Sequence, residues 1–208
     1  MAPRPSKIIC VGRNYRAHAQ ELGNDVPDVP LLFFKPPSAI IGPGETILLP
    51  SMSRQVEHEA EIAVIIGVRA HRVAEADARG VIGGIACLND VTARDLQRTD
   101  GQWARAKGFD TFAPLGEPVA PEAAPPLEDL EVFGRVNGET RQHGYARDMI
   151  FPIGFLIAWI SRIFTLEPGD VLATGTPAGV GPLAPGDTVT VEIPGVGTLA
   201  NPVAAASD

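Results

Sequence analysis

Two short apolar stretches carry acidic side chains: Glu59 and Glu61 in EAEIAVIIG, and Asp90 at the end of IGGIACLND. Residues two apart on a strand point to the same face, so Glu59 and Glu61 are expected side by side. The segment continues from Ala63 to Ile66 in residues too apolar to sit in water. Buried carboxylates need partners, and an all-oxygen cluster of three suits a hard divalent cation, Mg²⁺ or Mn²⁺, rather than zinc. The spacing alone leaves a second reading open, in which the glutamates line a solvated strand face and Asp90 forms a turn or caps a helix.

A second group of residues could move protons. In NYRAHAQEL, His18 and Glu21 are three apart and share a helical face, where a carboxylate can hold one imidazole nitrogen, fix the tautomer and leave the other nitrogen to take a proton from water. An ordinary surface pair has the same spacing. Cations complete the set: Arg13 before that helix, Lys35 in LLFFKPP and Lys107 in RAKGFD, the lysines in apolar surroundings where an unpaired ammonium is costly unless it snorkels to the surface. Arg13 and Arg94 could also pair with acidic neighbours such as Asp95. Gln97 and Thr176 add uncharged donors, and the glycines of TGTPAGVG let backbone approach a ligand closely.

The elements that must position these residues are mostly strands. With Gly 22 and Pro 20 falling between short β-rich runs, the chain reads as strand-dominated with many tight turns. Pro43-Gly44-Glu45, Pro168-Gly169-Asp170 and Pro185-Gly186-Asp187 each precede a strand candidate (TILLP, VLATG, TVTVEI), proline setting the first central residue of the turn and glycine accepting positive φ at the second. Helices are predicted at 14–22, 73–79, near 97–106 and at 152–163, the last entered at Pro152. Residues 23–30 and 98–104 are polar and turn-rich, either flaps over a site or exposed connections, and 118–126 reads as a surface loop. No repeat, Walker loop or GxGxxG after a strand is present.

Length and composition indicate one domain over residues 1–208, 45% hydrophobic and 20% charged. A net charge of -8 argues against nucleic acid as partner, although small anions remain possible if cations converge in one pocket. Cys10 and Cys87 form no CxxC pair and read as buried free thiols, which suits a cytoplasmic location. The start MAPRPSK and the broken run from Met149 to Leu166 suggest neither a signal peptide nor a membrane span.

Read together, GRNYRAH with Glu21, LFFKP, HEAEIAVIIG, NDVTARDLQ, WARAKGFDTF and LATGTPAGVGP resemble the fumarylacetoacetate hydrolase superfamily, collinearly from about residue 8 to 182. The similarity is to the short members that act on acylpyruvates and oxaloacetate. The resemblance implies an α+β fold, a strand-dominated mixed β-sandwich roll, as a homodimer, with apolar surface around 151–159 either at the interface or in an internal helix. It implies that Glu59, Glu61 and Asp90 ligate Mg²⁺ or Mn²⁺ and that His18 and Glu21 activate water. Lys107 and Gln97 would hold a small 2-oxoacid substrate, with Arg13, Lys35 and Thr176 contributing to the same pocket.

The expected activity is C–C bond hydrolysis of an acylpyruvate, with oxaloacetate decarboxylation at the same site. The alternatives are isomerisation or hydration of an unsaturated 2-oxo dicarboxylic acid, and a catalytically silent structural homologue. Substrate identity does not transfer, because the loops at 23–30 and 98–104 differ among members of the family.

Overall fold

The structure, a computed structural model, describes residues 5–207; residues 1–4 of the MAPRPSK start, and Asp208, lie outside them. In chain order the strands are β1 (Ile8–Gly12), β2 (Leu31–Lys35), β3 (Ile40–Ile41), β4 (Ile47–Leu49), β5 (Val56–His58), β6 (Ala60–Ile66), β7 (Ile82–Asn89), β8 (Thr92–Ala93), β9 (Ala113–Pro114), β10 (Glu131–Val136), β11 (Glu139–Tyr145), β12 (Val171–Ala173), β13 (Gly181–Pro182), β14 (Thr188–Ile193) and β15 (Gly197–Ala205). The α-helices are α1 (Arg16–Glu21), α2 (Arg94–Thr99), α3 (Ala104–Gly108) and α4 (Ile153–Ile160). The fold is mixed α+β and strand-dominated.

One five-stranded sheet runs β2-β1-β12-β6-β7 and a second runs β11-β10-β14-β15-β4. Most neighbours are antiparallel; β1 with β12 and β15 with β4 are parallel. The alternation of side chains along β6 and β7 decides where the acids go. Ile62, Val64 and Ile66 of β6, with Ile85 and Cys87 of β7, enter the large core that Val132, Val191, Leu199 and the buried side of α4 also fill. Ala63, Ala86 and Leu88 point the other way, packing with Ile8, Cys10, Val171 and Ala173. Glu61 and Asp90 share the parity of this second set, so period-two geometry delivers their carboxylates to one end of the same sheet face, where Glu59 joins them from the residue before β6.

The expected turns are present, with Gly44, Gly169 and Gly186 at φ of 78°, 88° and 96°. Several boundaries differ from expectation. Glu59 lies in a break between β5 and β6, where the chain passes from a three-stranded sheet (β13-β5-β8) into the first five-stranded sheet. The break is held by Glu59 N–H donating to Asn89 Oδ1 (2.9 Å) and Asp90 N–H donating to Glu59 O (2.9 Å). The 97–106 segment is two helices, α2 and α3, because Gly101 interrupts it. The helix predicted at 73–79 is a 3₁₀ turn over Glu75–Val81. The helix expected at 152–163 is α4, shorter by three residues at its end and internal, with Leu156, Ile157 and Ile160 in the core beside Phe151, which precedes it. Among the described residues no helix is long and apolar enough to cross a membrane. Cys10 and Cys87 are buried and free.

Candidate metal centre and active site

The carboxylates of Glu59, Glu61 and Asp90 offer oxygens that all lie within 4.8 Å of one another, and all three residues are buried. Their surroundings differ. Lys107 Nζ, from α3, donates to Glu59 Oε2 (2.7 Å) and Asp90 Oδ2 (2.6 Å). Lys35 Nζ, from β2, donates to Asp90 Oδ1 (2.5 Å) and to the Val91 carbonyl (3.0 Å). Arg94, the first residue of α2, donates to Glu59 Oε1 (2.5 Å) and Glu57 Oε2 (2.7 Å). Among the described residues Glu61 is in no ion pair; it accepts Gly175 N–H at 2.9 Å.

These contacts set the protonation. Burial pushes the Glu59 carboxyl up, but Lys107 and Arg94 outweigh it and hold the group well below the carboxylate range. Glu61 moves the other way, because burial, Asp90 and Glu59 all disfavour its charge. Burial lowers the Lys107 pKa, yet Asp90 and Glu59 more than reverse this. Arg94 behaves alike through Glu59 and Glu57. For Lys35 burial prevails over Asp90 and the pKa falls. An all-oxygen set that concentrates negative charge in one place, with Glu61 lacking a counter-charge, fits a hard dication as a fourth partner.

His18 and Glu21 meet as expected, with Nδ1 of His18 3.2 Å from Glu21 Oε2. Glu21 also accepts Gly179 N–H at 3.0 Å, so the glycine-rich segment 174–181 holds the carboxylate that holds the imidazole. Gly179 (φ 101°) admits no side chain here, since a Cβ would lie 1.9 Å from the Arg141 carbonyl. Arg13 turns the chain from β1 towards α1 in a left-handed conformation (φ 58°), and the side chain of the next residue, Asn14, ties that corner to the Phe151 amide and the Phe151 and Thr174 carbonyls.

Most of these groups converge on one cavity of about 500 Å³. Glu59, Glu61, Asp90, Lys107, His18, Glu21, Arg13, Gln97 and Thr176 line it together. Lys35 does not; it sits behind Asp90, fully enclosed, and neutralises the carboxylate from the protein side. Arg94 lines the cavity too and pairs with Glu57 and Glu59 rather than Asp95, whose carboxylate takes Ser53 Oγ and Arg54 N–H. Four cations (Arg13, Arg94, Arg98, Lys107) balance four acids at the cavity wall, the convergence of positive charge that an acidic chain needs to bind a small anion. Asn24, Arg98 and Trp103 bring the segments 23–30 and 98–104 to its mouth.

Reading the sequence alone misses Glu57, Asn14 and Gln142. All three sit in polar surroundings, Glu57 in RQVEHE, Asn14 in GRNYRA and Gln142 in ETRQHG, so none carries a local signal.

Residues 7–204 match the family model for the C-terminal part of fumarylacetoacetate (FAA) hydrolase. Mitochondrial oxaloacetate tautomerase FAHD1 of Arabidopsis thaliana is 46% identical over 200 residues, covering 94% of this chain and 90% of that protein. The crystal structure of 5-carboxymethyl-2-hydroxymuconate delta-isomerase from Mycobacterium smegmatis superposes with a TM-score of 0.91 at 47% identity, covering 99% of this chain and 81% of that one. That of fumarylpyruvate hydrolase from Pseudomonas aeruginosa, in complex with Mn²⁺ and pyruvate, gives 0.89 at 30% identity over 97% and 91%.

Proposed function

The chain belongs to the fumarylacetoacetate hydrolase family, and from that premise we propose that it is a divalent-metal-dependent enzyme cleaving the C–C bond of an acylpyruvate-type 2,4-dioxo acid, with oxaloacetate decarboxylation as a second activity. The observation that carries this reading is the convergence of the three buried carboxylates, the His18–Glu21 dyad and the Lys107 ammonium on one cavity. Glu59, Glu61 and Asp90 would hold Mg²⁺ or Mn²⁺, and the ion supplies Lewis acidity that favours negative charge on the keto oxygen of a bound 2-oxoacid.

The remaining roles follow from hydrogen-bond arithmetic. An ionised carboxylate only accepts, so the Glu21 contact places the proton of neutral His18 on Nδ1 and leaves Nε2 as the basic atom. His18 then takes a proton from a water that adds to the distal carbonyl. The bond between that carbon and the pyruvyl methylene breaks, the electron pair passes into the enolate of pyruvate, and protonation of the methylene carbon completes the reaction. Lys107 uses two of its three N–H groups on Glu59 and Asp90, which leaves one for the substrate. Arg94 can only donate, so its 2.6 Å contact fixes Gln97 Oε1 and leaves the Gln97 amino group as a donor. Arg13, in no ion pair among the described residues, supplies a cation for the substrate carboxylate.

Loss of CO₂ from oxaloacetate gives the same enolate without an attacking water. A second reading, proton transfer within an unsaturated or enolisable 2-oxo dicarboxylic acid, is favoured by the tautomerase and isomerase among the relatives and needs a base but no hydrolytic water. Acetylpyruvate, fumarylpyruvate and oxaloacetate, assayed with and without EDTA, separate these. EDTA-sensitive release of pyruvate from an acylpyruvate supports hydrolysis, whereas loss of the enol absorbance with no pyruvate formed contradicts it in favour of tautomerisation. A homodimer is the proposed assembly, supported by the exposed Val29, Phe34 and Ile163.

A further inference from the structure

Gln142 is completely buried on β11, in the sheet opposite the one that carries the carboxylates, and all of its hydrogen-bonding capacity is spent on the site. Its Nε2 donates to the Pro177 carbonyl (2.8 Å) and to Thr176 Oγ1 (2.7 Å); its Oε1 accepts from Ala60 N–H and His58 Nδ1, both at 2.9 Å. The amide cannot be turned over, since the Pro177 carbonyl only accepts and the Ala60 N–H only donates. His58 must therefore carry its proton on Nδ1, in keeping with burial holding that imidazole below its ordinary pKa.

The same bookkeeping fixes Thr176. Its hydroxyl lies 2.8 Å from the Ala60 carbonyl, an obligate acceptor, so the proton points there. One lone pair takes the Gln142 N–H, and a single lone pair is left. Space is reserved for this arrangement: a Cβ on Gly134 would lie 2.9 Å from Gln142 Oε1, and one on Gly144 2.7 Å from Pro177. The platform of β11 thus seats the 174–177 segment on the strand that bears Glu61.

Resting on the function proposed above, we propose that Gln142 is a positioning residue which locks the Thr176 hydroxyl as an acceptor-only contact in the cavity, so that this wall selects ligands bringing an O–H, such as an enol, over ligands presenting a bare carboxylate oxygen. The rotor is held by two bonds, the one it donates to the Ala60 carbonyl and the one it accepts from Gln142; without the Gln142 amide only the first remains, a second lone pair is released, and the preference fades.

The test is calorimetric titration of the Mn²⁺-loaded protein with glycolate, which brings a hydroxyl, and oxalate, which brings only carboxylate oxygens. Gln142→Met should shift the affinity ratio towards oxalate by about 5–10-fold, the effect of one hydrogen bond. Thr176→Val should weaken glycolate by a similar factor and change oxalate less than about 2-fold, and the double variant should show the ratio of Thr176→Val alone. A purely structural role would lower the melting temperature and leave the ratio unmoved, which overturns the inference, as do additive shifts in the double variant. Should Gln142→Met fail to fold, Thr176→Val decides: equal losses for both ligands overturn the acceptor assignment. Wild-type protein that binds neither ligand with Mn²⁺ overturns the proposed function and this inference with it, whereas binding with an unmoved ratio overturns the inference alone.

Discussion

Lys107 and a dication compete for the same two carboxylates, and this makes Lys107→Met a sharp perturbation. In the metal-free protein the ammonium stands 2.7 Å from Glu59 and 2.6 Å from Asp90, with the lysine 2% exposed. Methionine keeps the length of the side chain but takes one of two cations from each carboxylate, leaving Glu59 to Arg94 and Asp90 to Lys35. Because each carboxylate keeps a cation, the loss is that of a hydrogen bond to a charged group, about 1.5–3 kcal/mol, which for a chain of this size lowers the melting temperature by about 3–12 °C. With the ion bound the balance reverses. Two unit charges 4 Å apart interact by about 4 kcal/mol at an effective dielectric of about 20, so the ammonium opposes a neighbouring dication by an upper bound of about 8 kcal/mol. Side-chain relaxation and solvent in the open cavity reduce this to the order of 1–3 kcal/mol, a gain of about 5–150-fold in affinity. Thermal melts with and without Mn²⁺, and calorimetric titration of the ion, read both effects. The variant should be less stable alone, bind Mn²⁺ more tightly and show a larger metal-induced rise in melting temperature than wild type. An apo melting temperature equal to wild type, or weaker Mn²⁺ binding, refutes the charge balance described here.

His18→Ala and Glu21→Gln should lower acylpyruvate hydrolysis by about 10²–10⁴-fold and oxaloacetate decarboxylation far less, while Glu61→Gln abolishes both; equal losses in coupled assays would reject the division of roles. Asp170 accepts Ser6 N–H (3.1 Å), Ser6 Oγ (2.6 Å), Lys7 N–H (3.2 Å), Lys7 Nζ and Glu167 N–H (2.8 Å), contacts that outweigh burial and keep its carboxyl below the ordinary value. Asp170→Asn should cost about 1.5–3 kcal/mol near neutral pH. Because a depressed carboxylate stabilises above its unfolded value of about 3.9 and loses that contribution as pH falls through the folded one, denaturant titrations should show the difference from wild type shrinking below about pH 4. Gly179→Ala should cost at least about 1–2 kcal/mol from the left-handed backbone alone and lower hydrolysis further by displacing the amide that holds Glu21; a variant with wild-type melting temperature and turnover would contradict the packing of 174–181 on β11.

The parts of this protein legible in its sequence are those governed by local geometry. Period-two alternation puts Glu61 and Asp90 on one sheet face, i,i+3 spacing joins His18 to Glu21, and Pro-Gly-acid turns set three strands. What escaped depends on contacts across sheets. Lys35 lies in an apolar strand and reads as a pocket residue, yet only the packing of β2 against β1 shows it behind Asp90. Arg94 has Asp95 beside it, but on a helix adjacent residues diverge, and its partners come from β5 and the β5–β6 break. Gln142, in a polar run on the opposite sheet, gives no local signal at all, because its role exists only once Thr176 and Ala60 have been brought to it.

The central claim is that Glu59, Glu61 and Asp90 together hold one divalent cation. A crystal soaked in MnCl₂ and measured at the manganese absorption edge tests it directly. A single anomalous peak within coordination distance of all three carboxylates is the expected result; no peak there, with the Lys107 ammonium still occupying the space between Glu59 and Asp90, would contradict it.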